Sequence, residues 1–264
     1  MYLQTPTLKL PGMVHGFSTR QGGVSQGPYQ SLNLKLPHYP DDDSLDAVLE
    51  NRQRLAHNLN YPAKSLVACQ QVHSAQVHLV TAEDQGRGAQ SHTGGIPNTD
   101  GLVTNIPLTP LFIMVADCIP VLIADPIAKA IGAVHAGWRG TQQEILKVAI
   151  EMMQENYGSL PQDIHIGIGS GIGMKRFEVG PEVAEAFALQ IDLKDTQVAL
   201  QKGEKFHLDL QEINQRQALK LGVRQANISR LAHCTYERSD LFFSYRRDKG
   251  VTGRLGAVIC LGQP

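Results

Sequence analysis

The middle of the chain carries three short apolar runs whose ends are polar. They cover residues 112–116, 121–124 and 131–134. Apolar runs of this length, bounded by turn-forming residues, are typical of buried β-strands. The second and third runs are joined by residues 125–129, a connection short enough for a hairpin. We therefore predict three strands here, with the last two paired.

Helical spacing of apolar residues is found in residues 43–60, 141–158, 181–189 and 209–221. Thr141 and Glu144 have the spacing of a capping box ahead of the second of these helices. Further strands are predicted at 227–231, 241–245 and 255–261, and another runs from Ile164 into a glycine-rich turn that ends at Gly173. Because helices and strands interleave without a regular βαβ repeat, we predict an α/β or α+β fold with mixed sheets.

Residues 72–79 alternate between two sets of side chains, and this period predicts a strand. His73 falls on the same side as Ala75, Val77 and Leu79, which we expect to be buried. A buried imidazole needs a polar partner, so His73 is either a hydrogen-bonded core histidine or a ligand. Residues 86–97 are predicted as one long surface loop. Residues 15–34 are predicted as an ordered or a disordered loop, and their apolar anchors favour the ordered one.

Composition limits the function classes. The net charge of −1 and the pI of about 6.8 give no broad electrostatic reason to bind nucleic acid or an anionic membrane. The first residues lack the pattern of a signal peptide, and no long uninterrupted apolar stretch follows, so we expect a cytoplasmic protein. The four cysteines are far apart and form no C-x-x-C pair, which predicts reduced thiols rather than disulfides or a zinc knuckle.

Side chains that can catalyse a reaction or bind a metal are concentrated where the predicted central strands end. Cys118 precedes the second strand, with Asp117 beside it, and His135 ends the third. If these strands are neighbours, Cys118 and His135 are either a nucleophile and its base or two metal ligands. Adding His73 favours a metal, because zinc prefers nitrogen and sulfur donors and three protein ligands leave one position open for catalysis. The spacing of the three residues matches no local motif, so both readings stay open.

Other candidate residues flank this centre. Arg139 lies between two glycines just ahead of the helix predicted at 141–158, and would suit phosphate. Trp138, the only tryptophan, is either a stacking platform or a core residue. Asp100 is either a turn residue or a proton carrier, while Arg254 belongs to a basic cluster that either binds an anion or is solvated. The glycines at 167–173 do not complete a dinucleotide-binding motif.

Eight motifs spread along the chain resemble the YfiH family, also called the laccase-domain or multicopper polyphenol oxidase-like family. They are HGFSTRQGGVSQGPYQSLNL, QQVHSAQV, NTDGLVTN, ADCIPVLIADP, AVHAGWRGT, FEVG, HLDL and FFSYRRDKGVTGR. The resemblance implies one domain over residues 1–264, with mixed sheets flanked by helices, similar to the cysteine hydrolase fold shared with a bacterial deamidating toxin. It also implies a zinc site, with copper as the alternative ion, on His73, Cys118 and His135.

The function that the resemblance implies is purine nucleoside phosphorolysis, with adenosine, inosine, guanosine and methylthioadenosine as substrates, together with adenosine deamination. We expect Cys118, His135 and Asp117 to be catalytic, and Arg139, Asn33 and Arg254 to contact the nucleoside or phosphate. The expected partners are small molecules, neither nucleic acid nor membrane, and the expected state is a monomer or a small homo-oligomer.

Two other activities compete with this interpretation. One is a metal-free cysteine hydrolase that edits peptidoglycan precursors, with Cys118 as nucleophile and His135 as base. The other is copper-dependent oxidation of phenols, which a single three-ligand site without His-x-His pairs does not favour. A non-catalytic nucleoside-binding protein is the remaining class. The chain departs from the family pattern at GSGIGMKRFEVG, where a Gly-Pro turn and cysteines are usual, so substrate preference near that loop is in doubt.

Overall fold

The computed structural model describes residues 1–262, which form fourteen β-strands and five α-helices. The strands are β1 (Tyr2–Leu3), β2 (Met13–Ser18), β3 (Val67–Ala68), β4 (Val77–Leu79), β5 (Gly101–Thr104), β6 (Leu111–Val115), β7 (Ile119–Asp125), β8 (Ala130–Ala136), β9 (His165–Ile168), β10 (Glu178–Val179), β11 (Ala199–Lys202), β12 (Lys205–Leu208), β13 (Ile228–Arg230) and β14 (Leu255–Leu261). The helices are α1 (Leu45–Leu59), α2 (Trp138–Gln142), α3 (Ile145–Tyr157), α4 (Pro181–Ala186) and α5 (Leu210–Lys220). In this range no helix is long and apolar enough to cross a membrane.

Two large mixed sheets stack face to face. The five-stranded sheet has the order β1-β2-β14-β6-β3, and the six-stranded sheet has the order β13-β9-β7-β8-β5-β4. A small third sheet has the order β10-β12-β11. The α+β class with mixed sheets, predicted from the sequence, is confirmed.

Strand β7 shows how the layers are built. Val121 and Ile123 contribute to a core shared with α3 and α5, while Leu122 and Ala124 contribute to the core between the two large sheets. On the far side of the five-stranded sheet, Leu55 of α1 belongs to a third core. The order of layers is therefore helix, sheet, sheet, helices. A strand buried on both faces reads as a continuous apolar run, which is why β7 and β8 stand out in the sequence.

The predicted hairpin is confirmed. Strands β7 and β8 pair antiparallel, with Val121 opposite Val134 and Asp125 opposite Ala130. The Asp125 carboxylate accepts the backbone N–H groups of Ile127 and Ala128 at 2.8 and 2.9 Å, which stabilises the turn. Helices α1, α3, α4 and α5 lie within the segments predicted for helices.

The predicted strand over residues 72–79 is wrong for its first half. Only β4 is a strand, and His73 lies in the preceding loop with a positive φ of 62° and an exposed side chain. The cause is Asp100, whose carboxylate accepts the backbone N–H groups of Val72, His73 and Ser74. N–H groups held by a side chain are not available to a strand ladder.

The capping box predicted at Thr141 is also wrong. Helix α2 begins at Trp138, so Thr141 is already helical, and its N–H donates to Gly137 O at 2.8 Å. Glu144, with a φ of 57°, separates α2 from α3. Arg139 therefore lies inside α2 instead of just before a longer helix, and α2 has only five residues.

Two further predictions need correction. Residues 241–245 form no strand. The N–H groups of Leu241 and Phe242 donate to the Arg238 carbonyl at 3.0 and 2.9 Å, and the Phe242 carbonyl accepts from the Arg247 side chain at 2.9 Å. The segment 15–34 was predicted to be a loop, but its first residues belong to β2, which pairs with β1 and β14. The remainder is irregular, with Leu32 and Leu34 fully buried.

Candidate active site

Two of the predicted ligands lie where the chain crosses between the two large sheets. Cys118 lies in the short connection from β6 of the five-stranded sheet to β7 of the six-stranded sheet. His73 lies between β3 and β4, which also belong to different sheets. His135 lies near the end of β8, opposite Pro120 on β7. The ligand atoms of His73, Cys118 and His135 all lie within 4.8 Å of one another. The structure therefore brings the three predicted ligands together as a possible metal site.

Asp100 lies behind His135 and positions both His135 and the His73 loop. Its carboxylate is fully buried and accepts a hydrogen bond from His135 Nδ1 at 2.8 Å. The same carboxylate holds the backbone of the His73 loop through bonds of 3.2, 3.0 and 2.7 Å, and it accepts the Ser74 hydroxyl at 2.8 Å. One buried side chain thus orients two of the three ligands. With Nδ1 of His135 bonded to Asp100, Nε2 is the ring nitrogen free to bind a metal.

Gly137 leaves room for the three ligands to meet. A Cβ atom at this position would lie 3.1 Å from Cys118 Sγ and 3.2 Å from the His73 ring. The backbone conformation of Gly137, with φ of −68°, is open to any residue. A side chain at Gly137, the first glycine of HAGWRG, is therefore disfavoured by the close approach of the ligands and not by backbone geometry.

Cys118 and His135 shift each other's pKa. Burial alone would raise the pKa of the Cys118 thiol, but the charge of His135 and hydrogen bonds from His135 and His73 lower it to about 6. Burial alone would lower the pKa of His135, but the Cys118 thiolate and Asp100 raise it to about 9. Thiolate and imidazolium therefore stabilise each other. The thiolate is the form that acts as a nucleophile or as a metal ligand, whereas His135 binds a metal only as the neutral imidazole.

The three residues face a cavity of about 500 Å³. Its wall carries aromatic rings, cationic side chains and a few apolar groups. The lining residues are Lys35, Gln71, His73, His92, Met114, Val115, Ala116, Asp117, Cys118, His135, Trp138, Ile172, Phe177, Leu210, Tyr245, Arg246 and Arg254. The volume is in the range typical of small-molecule sites.

Asp117 lies on the cavity wall, with both carboxylate oxygens engaged. Oδ1 accepts the Thr235 hydroxyl at 2.6 Å, and Oδ2 accepts the backbone N–H of Arg246 at 2.7 Å. Its φ of 88° is a strained conformation for a residue with a side chain. Asp117 thereby fixes the turn that presents Cys118 and also the backbone of a cationic residue of the cavity.

The candidate substrate contacts fall into three different places. Arg254 lines the cavity, as does Trp138, for which the sequence left a stacking role and a core role open. Arg139 is exposed and lies outside the cavity lining, with its guanidinium carbon 4.4 Å from the centre of the Trp138 ring. Asn33 is 1% exposed and also lies outside the lining.

Several lining residues were not singled out from the sequence, among them Lys35, Gln71, His92 and Tyr245. Gln71 uses both amide atoms on the Met114 backbone, donating at 2.8 Å and accepting at 2.8 Å. Lys35 and Tyr245 lie inside or next to motifs that carry the family resemblance, which was the signal available for them. Gln71 lies in the motif QQVHSAQV, so the family resemblance was the signal available for it too.

Comparison with known proteins agrees with these observations. The family described as multi-copper polyphenol oxidoreductase laccase matches residues 14–262. The chain belongs to this laccase-domain family.

The laccase-domain family includes close relatives with assigned names. The chain is 40% identical over 261 residues to a protein of Deinococcus radiodurans named purine nucleoside phosphorylase, covering 98% of this chain and 92% of that one. It is 38% identical over 244 residues to purine nucleoside phosphorylase YfiH of Escherichia coli, covering 92% of each. The crystal structure of YlmD from Geobacillus stearothermophilus is similar with a TM-score of 0.91 at 36% identity, covering 98% of this chain and 94% of that one.

Proposed function

We propose that this protein is a zinc-dependent purine nucleoside phosphorylase that also deaminates adenosine. The observation that carries the proposal is the His73, Cys118 and His135 set opening into a cavity that also presents aromatic rings and cationic side chains. Support comes from the relatives of Deinococcus radiodurans and Escherichia coli, which are named purine nucleoside phosphorylases. The proposed substrates are adenosine, inosine, guanosine and methylthioadenosine.

The donor set fits zinc. Two imidazole nitrogens and one thiolate sulfur are ligands that zinc prefers, and three protein ligands are typical of catalytic sites. The bond from His135 Nδ1 to Asp100 is the usual support for a histidine that binds a metal. When bound, zinc would supply Lewis acidity and lower the pKa of a coordinated water. Copper would also bind such donors, but this is the one metal-competent cluster within residues 1–262, whereas multicopper oxidation needs several centres.

The cavity wall offers separate surfaces for base and phosphate. Trp138, Phe177 and Tyr245 supply rings for the flat purine, and Arg254 supplies a guanidinium for phosphate. In phosphorolysis, a phosphate oxygen bonds to the ribose anomeric carbon while the bond from that carbon to the purine nitrogen breaks. The products are ribose 1-phosphate and the free base. The contribution of the protein is to hold the two reactants in line and to stabilise their charges.

Proton transfer to the leaving base, or to ammonia in deamination, needs an acid at the cavity. Asp117 and Asp100 are the two candidates from the sequence. Asp100 is fully buried behind His135, whereas Asp117 is on the wall of the cavity. We therefore assign the proton-transfer role to Asp117, with Thr235 and the backbone of Arg246 holding its carboxylate in place.

A Cys–His hydrolase is the second candidate, and one observation favours it. Cys118, His135 and Asp100 form a consecutive series of thiol, imidazole and carboxylate, with the thiol pKa lowered to about 6. This is the arrangement of an activated cysteine nucleophile. Chelation separates the two proposals, because a cysteine hydrolase keeps its activity without metal and loses it on alkylation of Cys118.

The deciding experiment combines metal analysis of the purified protein with product assays on adenosine, with and without phosphate. We expect one zinc per chain, ammonia release without phosphate, and free adenine only with phosphate. His135→Ala should lose zinc and both activities. Full activity in metal-free protein would refute the zinc-dependent mechanism.

A further inference from the structure

Asn33 contacts the backbones of two cationic residues of the cavity through a single atom. Its Oδ1 accepts the N–H of Arg254 at 2.8 Å and the N–H of Lys35 at 3.2 Å. Arg254 and Lys35 both line the cavity, although Arg254 is 221 residues from Asn33 along the chain. A buried amide oxygen therefore holds together the backbones of two cationic residues from distant parts of the sequence.

The surrounding bonds hold this arrangement firmly. Asn33 Nδ2 donates to Asp43 at 2.9 Å, which turns Oδ1 toward the two N–H groups. The carbonyl of Arg254 accepts the N–H of Leu34 at 3.1 Å, so the backbone of Arg254 is fixed on both sides. Because Asn33 is 1% exposed, no substrate can compete for these bonds.

In the described part of the chain Arg254 forms no direct ion pair, although Asp117, Asp42 and Cys118 lie near enough to favour its charged form. Within residues 1–262 no carboxylate forms a salt bridge with it, and its Nη1 donates to the carbonyls of Thr252 and Gly253 at 2.9 and 3.2 Å. Lys35 pairs with Asp42 at 2.6 Å, which uses one of the three N–H groups of the ammonium. A half-buried guanidinium without a carboxylate partner favours an anionic ligand.

We infer that Arg254 and Lys35 form an oxyanion subsite of the cavity and that Asn33 is the positioning residue that sets their spacing. The ligand class is a tetrahedral oxyanion, which is inorganic phosphate in the reaction proposed above, so the inference rests on that proposal. The planar fork of Arg254 matches two oxygens of the ligand and the ammonium of Lys35 a third. Arg139 is not part of this subsite, since it is exposed and lies outside the cavity lining.

The test compares four variants with the intact protein: Arg254→Met, Asn33→Leu, the double variant of these two, and Arg139→Met. The control is Thr104→Val, since Thr104 is also fully buried and its side chain also accepts a backbone N–H two residues on, that of Ile106 at 3.2 Å. Thr104 is the last residue of β5, whereas Asp100 immediately precedes the first residue of that strand. The measurements are KM for inorganic phosphate, KM for inosine, zinc content, and the rise in Tm that inorganic phosphate causes.

We expect Arg254→Met to raise the KM for phosphate on the order of a hundredfold, because a charged donor is lost. Asn33→Leu should raise it about tenfold, while zinc content and the KM for inosine stay within about twofold. In the double variant, Asn33→Leu should add little, since the residue acts through Arg254. Thr104→Val should leave both KM values unchanged.

Three outcomes would overturn the inference. They are an equal rise in both KM values for Asn33→Leu, independent effects of Asn33 and Arg254 in the double variant, and a rise in the phosphate KM for Arg139→Met but not for Arg254→Met. The phosphate-dependent rise in Tm separates this inference from the proposed reaction. If no phosphorolysis occurs but phosphate still raises the Tm of the intact protein, and not of Arg254→Met, the subsite stands and the proposed function fails. If neither effect is seen, both fail.

Discussion

Replacing Asp100 with asparagine tests the support of the metal site most directly. In the folded protein Oδ1 accepts His73 N–H and His135 Nδ1–H, while Oδ2 accepts the N–H groups of Val72 and Ser74 and the Ser74 hydroxyl, which can rotate to donate or accept. The asparagine side chain has one oxygen and one NH₂ group. The donors to Oδ1 or the donors to Oδ2 would therefore face the NH₂ group, which cannot accept their hydrogen bonds. Each buried donor left unpaired costs roughly 1–3 kcal/mol, and with two affected we expect Asp100→Asn to lower the free energy of unfolding by about 4 kcal/mol.

Zinc binding should weaken as well, because His135 loses the acceptor that fixes its tautomer. Loss of such a support lowers metal affinity about 10–100-fold. Urea unfolding of the metal-free proteins measures the first effect, and competition with a chromogenic chelator measures the second. Asp125→Asn is the matched control, since Asp125 is also buried, at 1% exposed. Its Oδ1 accepts the backbone N–H groups of both Ile127 and Ala128, and the single oxygen of an asparagine can keep both bonds. Wild-type zinc affinity in Asp100→Asn would refute the assigned role.

Three other predictions concern separate features. Gly137→Ala should leave the fold intact but weaken zinc binding about tenfold or more, because the new Cβ would lie 3.1 Å from Cys118 Sγ; unchanged affinity in the chelator assay would contradict this. Burial lowers the pKa of His15 to about 4. Between about pH 6.5 and 4 the unfolded chain therefore binds a proton at His15 that the folded protein does not bind, and the free energy of unfolding decreases as the pH is lowered. Between pH 7 and 5 the wild type should lose about 2 kcal/mol more than His15→Gln in urea unfolding, and equal losses would show that His15 is not the cause. Binding of adenosine should change the fluorescence of Trp138, the only tryptophan, and a spectrum unaffected by saturating adenosine would place the base elsewhere.

The central part of the site could be predicted because it depends on local pairing. Apolar runs and a short connection predict the hairpin of β7 and β8, and that hairpin alone brings Cys118 and His135 to the same edge of the sheet. The period-two pattern around His73 gave the wrong element, because a side chain 27 residues away takes the backbone N–H of His73. His73 was assigned as a ligand through the family resemblance, and the structure places it beside the other two.

Longer-range parts of the site could not be read from the sequence. Asp100 looks like an ordinary turn residue before a glycine, and its role requires both the His73 loop and His135 to be in place. Asn33 was predicted to contact substrate, yet it holds the backbone of Arg254, 221 residues away. Such contacts arise only when β14 enters the five-stranded sheet, and no periodicity in the sequence encodes that placement.

The crossing of the chain between sheets at both His73 and Cys118 has a consequence for how this family can change over evolution. His73 and Cys118 lie in connections between the two large sheets, whereas His135 lies on a strand of the six-stranded sheet. Sliding one sheet by a single residue, about 3.3 Å, would exceed the tolerance of a coordination sphere. A substitution in the layer between the sheets, such as at Leu122 or Ala133, therefore acts on the alignment of the two sheets as well as on stability. A repacked interface that raises thermal stability can still abolish metal binding if it shifts that alignment.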